Sequence, residues 1–113
     1  MHLMFFETRV FTELYSGYLN DREYHLLQLS LLGNPEIGDV MPGTGGFRKM
    51  RWQDPKRGKG KRGGLRIIYY YFESDSQVWF FTIYDKNEIT DLTDKEKKIL
   101  KLAVQKELKA RRK

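Results

Sequence analysis

Four basic side chains, Lys49, Arg51, Arg66 and Lys86, have the types and spacing to do chemistry in this chain. Lys49 and Arg51 are two residues apart, so they share a face if their segment is a strand. Arg66 opens the next strand-like run. Lys86 leaves the end of the one after, in Tyr84-Asp85-Lys86-Asn87-Glu88. If those strands pair as neighbours, the four cations converge on one end of a sheet. A phosphate between them meets several donors at once, and the arginine fork suits bidentate contact.

Such a cluster can do more than bind. Cleavage of RNA by its own 2′-OH needs no metal and no other cofactor. The 2′-oxygen attacks phosphorus, and negative charge gathers on the non-bridging oxygens and the leaving 5′-oxygen. Fixed cations stabilise that transition state more than the ground state. Like charge around a lysine also lowers its pKa, which makes a lysine in such company a proton acceptor.

Nine of the nineteen residues from Arg48 to Arg66 are Lys or Arg, and only Asp54 opposes them. So dense a cluster repels itself and is explained by a polyanion lying against it, most often a phosphodiester backbone. Arg48, Lys56, Arg57, Lys59, Lys61 and Arg62 are the expected RNA or rRNA contacts around the four central cations. Blander readings stand beside these. The 56–62 run also suits a solvated loop, Arg66 an ion pair with Glu7 or Asp39, and Lys86 a plain turn lysine. Arg48 can take the place of Lys49 if the strand is read one residue out of step.

The elements that must position these residues are readable in outline. Residues 3–6 are a short apolar run that predicts a first strand. Val10, Phe11, Leu14, Tyr15 and Tyr18 fall on one face of a helix. Asn20 with Glu23 predicts a capping box for a second helix, lined by Tyr24, Leu27 and Leu31 and broadened by Leu26, Leu29 and Leu32. Gly33-Asn34-Pro35 stops it. Residues 35–46, rich in Gly and Pro, read as a connection. Residues 47–52 alternate, with Met50 and Trp52 the better core pair and Lys49 and Arg51 left outward. Residues 53–64 are a basic glycine-rich loop. Residues 65–72 and 78–84 are apolar on both faces, which implies central strands covered on both sides. The polar turn over 73–77 makes residues 47–84 an antiparallel meander of three strands. Thr93 with Glu96 is a second capping box, and Ile99, Leu102, Ala103 and Leu108 are the expected apolar side of the basic helix that follows. The fold class is α+β in one domain spanning 1–113: strand, two-helix hairpin, three-stranded antiparallel meander, C-terminal helix.

Composition narrows the function classes. At 113 residues and 40% hydrophobic content the chain supports one core. It has no cysteine, so disulfides and thiolate metal sites are excluded, in keeping with a reducing cytoplasm. No apolar run is long enough to cross a membrane, and MHLMFFETRV lacks the pattern of a secretory signal. His2 and His25 are the only histidines and have no ligand spacing around them. The glycines at 43–46 and 58–64 lack the Gly-Lys-Ser/Thr ending of a nucleotide loop. One tyrosine of the 69–71 run is a candidate to stack on a base.

Gly64-Leu65-Arg66-Ile67-Ile68-Tyr69 and Tyr84-Asp85-Lys86-Asn87-Glu88-Ile89-Thr90-Asp91-Leu92-Thr93 resemble the RelE/HigB superfamily of bacterial toxins, most closely its HigB-type branch. The similarity covers nearly the whole chain and is most specific from Phe47 to Thr93. It implies the RelE-like version of the α+β fold. It also implies the toxin of a type II toxin-antitoxin system, a ribosome-dependent, metal-independent endoribonuclease that cuts mRNA in the A site. The implied partners are a cognate HigA-like antitoxin, the ribosome with its mRNA, and operator DNA only through the antitoxin, all in the cytoplasm with no membrane. By position Arg66 matches the arginine on the scissile phosphate, Lys49 and Arg51 the basic pair, and Lys86 a basic residue after the fourth strand of the family. Members often carry a Tyr or His near the C-terminal end, and Asp91-Leu92-Thr93 stands in that place here. That leaves the general acid and base unassigned. The alternative from charge alone is a non-catalytic basic module that binds RNA or DNA.

Overall fold

These local signals assemble into a mixed sheet of five strands with three helices among the residues described by the computed structural model, 2–54, 58, 64–88 and 92–112. The elements are β1 (Met4–Glu7), α1 (Arg9–Leu14) with a 3-10 turn over Tyr15–Gly17, α2 (Asp21–Gly33), β2 (Asp39–Val40), β3 (Arg48–Trp52), β4 (Leu65–Phe72), β5 (Gln77–Asp85) and α3 (Asp94–Arg111). The sheet order is β1-β5-β4-β3-β2. β3, β4 and β5 form the expected antiparallel meander, and β1 runs parallel to β5 at one edge.

Alternation decides which residues go inside. Phe11, Leu27, Leu31, Met50, Trp52, Ile67, Phe80 and Ile83 bury one face of the sheet under α1 and α2. Ile68, Phe72, Tyr84, Met41 and Phe47 bury the other under Leu100 and Val104 of α3. β4 and β5 are thus apolar on both sides because both sides are covered. Full burial of one such Leu or Ile is worth roughly 1.5–3 kcal/mol, so the two layers together outweigh any single polar contact. Among the described residues no helix is long and apolar enough to cross a membrane.

Four details differ from the sequence reading. The connection over 35–46 contains β2, which pairs Asp39 with Lys49 and Val40 with Arg48. The first helix is short, and only Phe11 of its apolar set is fully buried, because α1 gives way to the 3-10 turn before a second turn can pack. In α2, Leu26 and Leu29 face outward, so its core stripe is the narrower Tyr24, Leu27, Leu31. In α3 the buried residues are Leu100 and Val104, whereas Ile99 and Leu102 are each 57% exposed. The helix is rotated because the turn at 41–47 meets it. There Thr44 is fully buried, donates to the Met41 carbonyl at 2.7 Å and accepts from the Phe47 amide at 3.1 Å. Gly45 (φ 76°) lies so close to α3 that an added Cβ would stand 2.8 Å from Val104 Cγ1.

Both capping boxes form. The Asn20 side chain accepts from the Glu23 amide at 2.8 Å, and the Thr93 hydroxyl accepts from the Glu96 amide at 3.1 Å. Each glutamate side chain accepts in return from its capping residue's amide. These hydrogen bonds hold the Glu96 carboxyl below the usual carboxylate range.

Candidate phosphate-binding site

The ladder puts Arg51 of β3 directly opposite Arg66 of β4, and Arg66 directly opposite Tyr84 of β5. Directly opposed residues share a face with Cβ atoms about 5 Å apart. Lys49 lies two residues before Arg51 on that same face, opposite Ile68 and, on the outer side, Asp39. Lys86 follows the last paired residue of β5. Its amide donates to the Gly64 carbonyl at 3.3 Å, which brings it to the end of the sheet where β4 begins. Lys49, Arg51 and Arg66 therefore share the α3-covered face, and Lys86 leaves the sheet at the same end.

Their surroundings differ. Arg66 is 9% exposed and donates from Nη1 to the Leu65 carbonyl at 3.0 Å. Burial first, and then the like charge of Arg51, lowers its pKa, while Tyr84 acts the other way. The guanidinium stays charged, since an arginine starts far above neutral pH. Arg51 and Lys86 are exposed and Lys49 half-buried. Lys86 is held by an Asx turn: the Asn87 amide donates to Asp85 Oδ1 at 2.8 Å and the Glu88 amide to the Asp85 carbonyl at 2.9 Å. A buried arginine beside exposed cations is an arrangement that can hold a phosphate.

Arg48 lies elsewhere. It is paired with Tyr69 on the opposite face, and its guanidinium donates to the Gly38 carbonyl at 2.8 Å and to Glu36 Oε2 at 3.0 Å. Strand parity thus separates Arg48 from the cluster and places Lys49 in it. Lys56, Arg57, Lys59, Lys61 and Arg62 lie outside the described residues. Glu7, weighed as an ion-pair partner for Arg66, instead accepts from the Tyr24 hydroxyl at 2.6 Å and from Thr12 Oγ1 at 2.7 Å.

Sequence reading missed Tyr84, opposite Arg66, and Asp85, next to Lys86, as neighbours of the cations; both are buried. A β-bulge explains the first. The β4–β5 register shifts between Ile68 and Tyr69, so that Thr82 rather than Phe81 opposes Ile68. Phe81 is the extra residue. Without it Ile83 would stand opposite Arg66; with it, Tyr84 does. Nothing in an unbroken apolar run marks where a bulge falls. No protein-family model matches the chain.

Proposed function

We propose that this protein is a RelE/HigB-like toxin of a type II toxin-antitoxin system and cleaves mRNA in the ribosomal A site by attack of a 2′-OH on the adjacent phosphate. The observation that carries this reading is the cross-strand pair of Arg51 and Arg66 with Lys49 on the same face and Lys86 at the same sheet end. Opposed like charges weaken a ladder, and a phosphate bound between them would offset that repulsion. The strand order by itself gives the class α+β and no more; the motif around Arg66 and Lys86 supplies the finer RelE-like assignment.

In this mechanism Arg66 holds the non-bridging oxygens of the scissile phosphate and stabilises the charge that develops there. Arg51 and Lys86 neutralise the phosphate and the leaving 5′-oxygen. Lys49 is the proposed acceptor of the 2′-OH proton. The 2′-oxygen forms a bond to phosphorus, the bond to the 5′-oxygen breaks, and the 5′-oxygen takes up a proton. No cofactor enters. The ribosome supplies substrate positioning, and a cognate HigA-like antitoxin is the proposed neutralising partner in the cytoplasm.

The test is 5′-end mapping of mRNA in a translating extract. Wild type is expected to generate new ends within codons. Arg66→Lys keeps the charge but loses the fork, so new ends should fall by about 100-fold or more. Binding of free RNA should stay within about twofold. A non-catalytic binder would leave no new ends with either protein. Because Arg66 is buried, Arg51→Ala at the exposed neighbour provides the second variant. If both variants matched wild type in cleavage, the assigned site would be wrong.

A further inference from the structure

We propose that the aromatic groove between α3 and the β1–β5 half of the sheet seats an acidic amphipathic helix from a partner protein. The groove lies on the α3-covered face but at the opposite end of β4 and β5 from Arg66, so this inference stands independently of the reaction proposed above.

α3 covers only part of its face. Leu100 and Val104 pack over Met41, Phe47, Ile68 and Phe72. Beyond them Phe6, Trp79 and Phe81 remain half-buried, and Met4 is 59% exposed. Phe6 stacks on Trp79 at 4.6 Å between centroids, and Phe81 meets Phe47 edge-on at 5.7 Å. The result is an apolar floor of packed rings. A cavity of about 340 Å³ lies between this floor and the flank of α3 that carries Ala103.

That flank carries apolar side chains in each turn, with Lys106 between Ala103 and Ala110. Ile99, Ala103 and Ala110 are spaced four and seven residues apart and fall on one side of the helix. Ala103 lines the cavity, and Ile99 and Leu102 continue the apolar surface outward. From Ile99 to Ala110 the flank runs about 16 Å, the length of three helical turns. A floor of aromatic rings and a wall of small and aliphatic side chains accept the anchors of one helix face. The groove's arginine, Arg111, is already engaged: it donates to Asp75 Oδ2 at 2.7 Å, to Glu107 Oε1 at 2.9 Å and to Gln77 Oε1 at 2.8 Å. What the groove offers is therefore apolar surface rather than an anion site.

Charge selects the occupant. Lys95 and Lys106 lie on the solvent side of the flank, with Lys98 and Lys109 behind them, all exposed, while Glu107, which lines the cavity, is already paired with Arg111. A partner helix with glutamates beside its apolar stripe complements this rim. A second copy of the chain would bring the same basic α3 against it, which like charge opposes.

The experiment titrates the full-length protein with two synthetic helical peptides of about 18 residues. Both carry leucines at helical spacing; one has flanking glutamates and the other lysines in their place. Trp79 lies in the groove and Trp52 in the opposite core, so groove occupancy should blue-shift the tryptophan emission. The acidic peptide is expected to saturate, with the basic one weaker by about tenfold or more. Ala103→Arg, at an exposed helical position, should abolish the response without loss of helicity by circular dichroism. Equal affinity for the two peptides, no saturable response to either, or binding indifferent to Ala103→Arg each overturns the proposal. So does a dimer of the protein alone, seen by sedimentation and lost in Ala103→Arg, since the groove then belongs to a second copy. None of these readouts involves RNA cleavage.

Discussion

Arg51 and Arg66 stand opposite each other across the β3–β4 ladder, and that arrangement has a measurable cost. Like charges so placed destabilise a strand pair by about 0.2–1 kcal/mol. Replacing Arg51 with Gln should therefore raise stability by about 0.5 kcal/mol in urea denaturation while lowering mRNA cleavage. Opposite signs in the two assays are what a site retained for its ligand gives. Loss of stability in Arg51→Gln would instead mean that Arg51 serves the fold. Arg48 is the contrasting case. Its donors already hold the Gly38 carbonyl and Glu36, so Arg48→Ala should cost about 1–2 kcal/mol in stability. Cleavage by the folded fraction should stay within about twofold of wild type, since Arg48 lies on the other face. A cleavage loss matching that of Arg51→Ala would count against this facewise division. Strand alternation made Lys49 and Arg51 legible as a pair from sequence. It could not choose between Lys49 and Arg48, because that choice needs the register, and β2 supplies part of it by pairing Asp39 with Lys49.

At the scale of elements, the features written in adjacent residues were the legible ones. Asn20 with Glu23 and Thr93 with Glu96 announced two helix starts, and both capping boxes form. α3 was legible as a helix but not in its rotation. It carries one apolar pair at Leu100 and Val104 and another apolar set at Ile99, Leu102 and Ala103, on a helix otherwise dominated by lysine. Periodicity cannot rank two such stripes. The choice is made by the 41–47 turn and by Phe72, Asp75 and Gln77, which hold Arg111, all distant in sequence from α3. Gly45 brings the turn onto Val104, so Gly45→Ala meets both a positive φ and a short contact. About 2–3 kcal/mol of destabilisation is expected. The midpoint of thermal unfolding by circular dichroism checks this, and an unchanged midpoint would show that the turn yields freely. At the other end Arg111 lies 3.9 Å over the Phe72 ring and is salt-bridged to Asp75 and Glu107. Arg111→Ala should speed amide hydrogen exchange in the last turns of α3 and leave α2 unchanged, because the latch joins only α3 to the β4–β5 hairpin. Uniform acceleration in both helices would instead mark a global loss of stability.

For the molecule as a whole, the two faces of the sheet divide the work. The face under α1 and α2 is closed and holds most of the core, while the face under α3 holds the cation cluster at one end and the open groove at the other. Legibility followed the same division. A closed face is built by apolar alternation, which sequence displays; an open face depends on the bulge at Phe81 and on packing between distant elements. The closed face also makes a pH prediction. Burial first, and then the Glu7 carboxylate that accepts its hydroxyl at 2.6 Å, raises the Tyr24 pKa well above the ordinary 10.0. Burial raises Tyr69 and Tyr70 as well. With folded pKa values above the unfolded ones, this stabilisation is complete below about pH 10 and is lost as pH rises toward the folded values. Each such tyrosine contributes a decline of at most about 1.4 kcal/mol per pH unit. Urea midpoints between about pH 8 and 11.5 should therefore fall steeply above about 10. Tyr24→Phe should be less stable at neutral pH by about 1 kcal/mol, from the lost hydrogen bond, yet decline less steeply in alkali because one of the ionising groups is gone. Parallel curves for the two proteins would mean that Tyr24 ionises as readily folded as unfolded, and that the face under α1 and α2 is wetter than its packing implies.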